Sequence, residues 1–142
     1  VPLELLQQSI RTQRLFNSVL AVVGGISLLV GGIGIMNIML ATVTERRHEI
    51  GLRRAVGATK KNILYQFLVE SVILTVFGGI IGVCSGIIII LLFEQASGWP
   101  IRITAAAMAI PFVLAVITGV LSGLYPAVKA ARMDPIEALK ML

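Results

Sequence analysis

With 142 residues, the chain is long enough for one domain, and 57% of it is hydrophobic while only 13% is charged. A soluble domain carries about 25% charged residues, so this composition, with a mean hydropathy of +0.96, excludes an ordinary soluble globular protein. The net charge of +5 is gathered between apolar runs, which points to membrane orientation rather than to nucleic acid. The single cysteine, Cys84, lies in an apolar run and has no internal disulfide partner.

In residues 1–14, Leu3, Leu6 and Ile10 recur at helical spacing with Glu4, Gln7, Gln8, Arg11 and Gln13 between them. This amphipathic pattern runs without a breaker into the apolar stretch that follows. It predicts one long helix whose first part is a stalk projecting about 20 Å beyond the membrane, at about 1.5 Å per residue. A helix lying on the membrane surface is the alternative, although such helices favour a basic polar face over the mixed charge found here.

Residues 15–44, 71–93 and 103–128 contain no charged side chain, over 30, 23 and 26 residues. Each exceeds the roughly 20 residues that a helix needs to cross a bilayer core, and none alternates with the period of two expected of strands. Small residues let helix backbones approach closely in lipid. The first span carries Gly24, Ser27, Gly31, Gly34 and Ala41 on one face; the second carries Gly78, Gly82 and Gly86 at four-residue spacing; the third carries Gly119 and Gly123. These are the expected helix-packing positions, the span-two triple foremost, although glycine is also simply common in membrane helices. The cluster of Gly31, Gly32 and Gly34 is no phosphate loop, because it lacks the preceding strand and the Lys-Ser/Thr pair. Asn37 alone makes a poor mid-membrane polar site, so the spans do not look like a solute pathway. Glu70, at the boundary of the second span, is expected to reach headgroups or to pair with the basic loop.

That loop, TERRHEIGLRRAVGATKKNI, is the most informative segment. Residues 45–54 hold good helix formers apart from Gly51, with Ile50 and Leu52 offering apolar contacts. Gly57 is placed to stop the helix in the left-handed conformation, and Thr59 to cap the next helix with its hydroxyl. The expectation is a short mixed-charge helix over residues 45–58, rigidly joined to helices on both sides. As an orientation signal alone, the loop would need only Lys and Arg; Glu45 and Glu49 favour docking into a partner's groove. His48 is expected to be solvated, with no second His or Cys nearby for a metal site. The second span belongs to a helix over residues 59–93. A short outer loop, residues 94–102, holds Trp99 and Pro100, with Trp suited to the interface belt. After the third span, where Pro126 is expected to bend the helix, residues 129–142 form a tail. In it Asp134, Pro135 and Glu137 occupy the N-cap, first and third positions of a short helix.

Orientation follows from Lys and Arg. Arg46, Arg47, Arg53, Arg54, Lys60, Lys61, Lys129, Arg132 and Lys140 lie on one side, nine of the twelve basic residues. Arg11, Arg14 and Arg102 lie on the other. Loop 45–61 and the C-terminus are therefore expected in the cytoplasm and the N-terminus outside. The chain opens on Val rather than Met and VPLELLQQSIRTQR is no signal peptide, so upstream sequence crossing the membrane at least once is expected.

The run GGIGIMNIMLATVTERRHEIGLRRAVGATKKNILYQFLVES resembles the hallmark segment of MacB/FtsX/LolC-type ABC transporter permeases, its first ten residues being closest to the macrolide-exporter type. The closing Pro126-Ala127, Ala130-Ala131 and Asp134-Pro135-Ile136-Glu137-Ala138-Leu139 resemble the end of the same domain. The likeness covers nearly the whole chain in order. It implies an all-α membrane domain holding helices two to four of a four-helix permease, with an outward stalk, a cytoplasmic coupling helix and a short C-terminal helix. It further implies a bacterial inner-membrane location, dimerisation with a second permease copy, an ABC ATPase subunit or domain as partner, contact with lipids and a periplasmic adaptor. ATP and magnesium would be bound by that ATPase, with no cofactor in this chain. By resemblance Glu45, Arg46, Arg47, Glu49, Ile50, Gly51, Arg53, Arg54, Gly57 and Ala58 form the ATPase-coupling helix and its turn. The implied function is export by mechanotransmission, in which ATP-driven closure of the ATPase is relayed outward through the stalks. The alternative is an FtsX-like signalling protein that activates cell-wall hydrolases outside. No nucleophile–base pair, metal cluster or paired carboxylates support an enzyme.

Overall fold

The computed structural model describes residues 2–98 and 100–134, and every regular element among them is an α-helix. In chain order these are α1 (Pro2–Glu45), α2 (Arg47–Ala55), α3 (Lys60–Ser97) and α4 (Ala105–Ala131). Three of them are long and apolar enough to cross a membrane, with mean hydropathies of 2.4, 2.7 and 2.2 in the most apolar windows of α1, α3 and α4. Their 44, 38 and 27 residues correspond to about 66, 57 and 40 Å at about 1.5 Å per residue, each longer than a hydrocarbon core of about 30 Å.

Contacts divide the chain into two units, residues 1–31 and 32–142. In the first, α1 begins without interruption, as its sequence predicts. Leu3, Leu15, Phe16, Leu20 and Leu29 are all exposed. The hydroxyls of Thr12, Ser18 and Ser27 donate to the carbonyls of Gln8, Arg14 and Val23, four residues back, which satisfies these polar groups within the helix itself.

The second unit has its core at the end that carries α2. Met39 and Val43 from α1, Ile50 from α2, Ile63 and Phe67 from α3, and Ala127, Ala130 and Ala131 from α4 are buried together. Four-residue spacing builds the contributing faces of the three long helices. On α3 the buried positions are Ile63, Phe67, Ser71 and Thr75; on α4 they include Gly119, Gly123 and Ala127. The α3/α4 pair meets where these rows cross. A Cβ on Gly119 would stand 2.7 Å from the Cβ of Thr75, and one on Gly123 would stand 2.4 Å from that of Ser71, so only glycine allows this approach. Gly79 faces the Phe112 ring, and Gly32 faces Ser122 and Thr118.

The expected packing faces distribute differently from their spacing. Gly24, Gly31, Gly34, Gly78, Gly82 and Gly86 have no neighbouring heavy atom within 4 Å of the place a Cβ would occupy. Within this chain the second span is packed through Ser71 and Thr75, one turn apart, rather than through its glycine triple. The physical reason is that Gly119 and Gly123 on α4 leave room for these two side chains, whose hydroxyls are satisfied on their own helix and need no partner across the crossing. Thr75 Oγ1 donates to the carbonyls of Ser71 and Val72, and Ser71 Oγ to that of Leu68.

Residues 94–97, expected in the outer loop, are instead the last of α3. That helix stops at Gly98, whose φ of 70° is left-handed. Thr104, unnoticed in the sequence, caps α4 by accepting from the Ala107 N–H. Pro126 is buried within α4, which continues to Ala131. Trp99, and Pro135 and Glu137 of the expected C-terminal helix, lie outside the described residues, as does that helix.

Candidate functional site: α2 and its seat

The segment between the first two spans forms as its residues dictate. α1 ends at Glu45, and Arg46 breaks the helix with φ −93° and ψ 16°. α2 then runs for nine residues. Its end closes through a paired set of backbone bonds: the Ala58 N–H donates to the Arg53 carbonyl at 3.0 Å, and that of Gly57 to Arg54 at 3.2 Å. This 6→1 and 5→2 pattern needs a left-handed residue after the cap, and Gly57 supplies it with φ 109°. Thr59 follows as the N-cap of α3, its hydroxyl accepting from the Asn62 N–H. Two residues, Gly57 and Thr59, thus do what their identities predict.

α2 has two unlike sides. At about 100° per residue, Arg47, Ile50, Gly51 and Arg54 share one side. Ile50 and Gly51 are buried and Arg47 and Arg54 are half-buried. The other side presents His48, Glu49, Leu52 and Ala55, with Val56 just beyond; Leu52 is 51% and Val56 82% exposed. The two apolar residues of the loop therefore part company, Ile50 inward and Leu52 outward.

Two polar ties hold α2 and the turn before it against α3. Arg53 reaches back to the Glu49 carboxylate on its own helix and donates 2.7 Å to Gln66 Oε1 on α3. Arg46 lies 3.7 Å from the Glu70 carboxylate, the pairing expected of Glu70 with the basic loop. Both ties are solvent-accessible, and exposed ion pairs are worth about 0–1 kcal/mol, so they set orientation more than stability. Gln66 carried no signal in the sequence, because its role depends on a partner thirteen residues away.

Beside the Arg53 tie, Leu52, Val56, Ala58 and Ile63 line an open groove of 480 Å³, rimmed by Arg53, Asn62 and Gln66. Glu45 is exposed at the end of α1 and His48 is exposed on α2. Among the described residues no three His, Cys, Asp or Glu side chains gather as a metal site.

Residues 21–135 match the family described as FtsX-like permease C-terminal. The chain is similar to the macrolide export ATP-binding/permease protein MacB of Bdellovibrio bacteriovorus, 45% identical over 95% of this chain and 21% of that protein. It is 47% identical to the uncharacterized ABC transporter permease YknZ of Bacillus subtilis, over 89% of this chain and 32% of the relative. The pyoverdine export ATP-binding/permease protein PvdT of Pseudomonas fluorescens is also 47% identical, over 95% of this chain and 20% of its own length. The chain thus spans about a fifth to a third of these relatives. Three apolar spans, a capped helix seated between the first two, and a family match across all of them converge: the chain belongs to the FtsX-like permease C-terminal family of ABC transporter permeases.

Proposed function

We propose that this chain is the membrane-spanning coupling portion of a bacterial inner-membrane ABC export permease, and that α2 is where an ATPase partner engages it. The observation that carries this reading is the two-sided α2: its seated side is fixed in a packed core, while Leu52 and Val56 stand exposed beside the 480 Å³ groove. A solvent-facing apolar pair held on a rigid base suits a protein contact better than it suits water. In this role the contacting surface is His48, Glu49, Leu52, Ala55 and Val56, with Ala58 in the groove. Ile50, Gly51 and Arg53 hold α2, and Gly57 turns the chain. Loop 45–61 faces the cytoplasm by its Lys and Arg excess, and the first fourteen residues act as an outward stalk. ATP and magnesium belong to the ATPase. A second permease copy completes the transporter, its contact falling on the open Gly78, Gly82 and Gly86 face. Export of a small molecule is supported by the relatives named for macrolide and pyoverdine export, and a periplasmic adaptor is a further part of this reading.

The test uses the full-length transporter in proteoliposomes. Leu52→Asp with Val56→Asp is expected to insert normally and keep basal ATP hydrolysis while losing transport coupled to it. Undiminished coupled transport in that variant would remove α2 from the contact.

A further inference from the structure

Arg47 and Arg54 are not explained by an ATPase contact. They lie on the seated side of α2, three residues either side of the buried pair Ile50 and Gly51, and away from Leu52 and Val56. Each is half-buried, and the Nε of each is closed off without a hydrogen-bond partner. Neither pairs with an acid among the described residues: Glu49 pairs with Arg53, Glu70 with Arg46, and Glu45 is exposed at the end of α1. Lys60, Lys61, Lys129 and Arg132 add positive charge on the adjoining ends of α3 and α4. One nitrogen of each guanidinium is therefore withdrawn from water without a partner, and no ion pair of the described residues compensates either charge, which leaves the remaining N–H groups open to an anionic ligand.

We propose that Arg47 and Arg54 form a binding site for the phosphate of an anionic lipid headgroup. α2 joins two candidate membrane spans directly, so its seated side is turned toward the depth at which headgroups lie. A guanidinium offers a planar fork that matches two phosphate oxygens. A cytosolic segment would meet the exposed Leu52 and Val56 side of α2 first, whereas Arg47 and Arg54 lie on the side nearest the candidate spans, which favours lipid. The inference rests on the three spans and the seating of α2, and is independent of the ATPase contact proposed above.

The experiment is native mass spectrometry of the full-length transporter in mild detergent, titrated with phosphatidylglycerol or phosphatidylcholine. The wild type is expected to show one saturable phosphatidylglycerol site per chain. R47Q/R54Q is expected to weaken it about 30-fold, from about fivefold per cation near an anionic surface, with phosphatidylcholine unaffected. K60Q/K61Q should leave the saturable site intact. R47K/R54K, which keeps both charges, should bind better than R47Q/R54Q, with thermal unfolding confirming that all variants fold. Inorganic phosphate at matched ionic strength should not displace the lipid. Unchanged phosphatidylglycerol binding in R47Q/R54Q overturns the proposal, and so does equal loss in K60Q/K61Q, which would mean diffuse attraction. Displacement by inorganic phosphate would reassign the site to a free anion. Loss of ATPase association with lipid binding intact would reassign it to the protein partner.

Discussion

Replacing Gly119 with alanine should separate α3 from α4 at their crossing. The new Cβ would stand 1.7 Å from Thr75 Cγ2 and 2.7 Å from Thr75 Cβ, whereas carbon atoms rest at about 3.5–4.0 Å. Rotating the threonine does not relieve this. The Cβ is fixed to the backbone, and the hydroxyl is held by the Ser71 and Val72 carbonyls, on a side chain with few χ1 choices. The helices must part by about 1–2 Å to restore ordinary contact, and that loosens the neighbouring Gly123–Ser71 and Gly79–Phe112 contacts. Overpacking of this kind costs about 1–3 kcal/mol; with two contacts disturbed beyond the first, the upper end, about 3 kcal/mol, is expected. At about 1.4 kcal/mol per tenfold, the α3/α4 association constant should fall roughly a hundredfold. The assay is steric trapping or thermal unfolding in bicelles. Thr75→Gly placed with Gly119→Ala should restore most of the loss, because it exchanges which helix carries the methyl group, apart from about 1 kcal/mol for glycine in a helix. A Gly119→Ala protein as stable as wild type, or a double variant no better than the single, would refute the crossing as described.

Gly82→Ala, with open space at its Cβ position, should leave stability of the isolated chain unchanged or raise it by up to about 1 kcal/mol through helix propensity, read by the same unfolding assay. Gly57→Ala should cost about 1–2 kcal/mol, since φ 109° is strained for any side chain, and should speed amide exchange in α2. Thr59→Ala should cost about 1 kcal/mol at the start of α3, visible as exchange at Asn62. Gln66→Ala should cost less than about 1 kcal/mol of stability, yet loosen α2, seen as greater motion of a spin label at Ala55. An unchanged label spectrum would mean that the Arg53–Gln66 bond does not hold the helix.

The helices were legible because each signal is local. Charge-free runs mark the three spans, Gly57 and Thr59 mark the turn, and the unbroken pattern from Leu3 onward marks the length of α1. The crossing points were not legible, because they depend on which face meets which partner. Gly78, Gly82 and Gly86 form the most regular small-residue row in the sequence, yet α3 packs on Ser71 and Thr75. The α2 arginines show the same limit. Arg47, Arg53 and Arg54 read alike as basic residues of one loop, but the 100° step of a helix sends Arg53 to Gln66 and turns Arg47 and Arg54 toward the seat. A row of residues in sequence reports composition; only the angle between faces reports role.

The distribution of burial bears on how a coupling helix could work. Every buried apolar residue of the described core lies at the end that carries α2, and it draws on all four helices. Ile50 is therefore buried in the same cluster as Met39, Phe67 and Ala127. Close-packed interiors transmit displacement because their atoms have no free space to yield into. Under the proposed role, a force applied to Leu52 and Val56 would reach that shared cluster through Ile50 and α3 through the Arg53–Gln66 tie. Had α2 been joined only by its flanking turns, the same force would be absorbed as local bending. The energetics agree: truncating a buried isoleucine costs about 2–5 kcal/mol, against about 1 kcal/mol or less for either exposed polar tie. Under the proposed role, Ile50→Ala should therefore uncouple transport from ATP hydrolysis more completely than loss of Arg53, although Ile50 never touches the ATPase. An Arg53→Ala transporter that uncouples while Ile50→Ala remains coupled would place the force path in the polar tie instead.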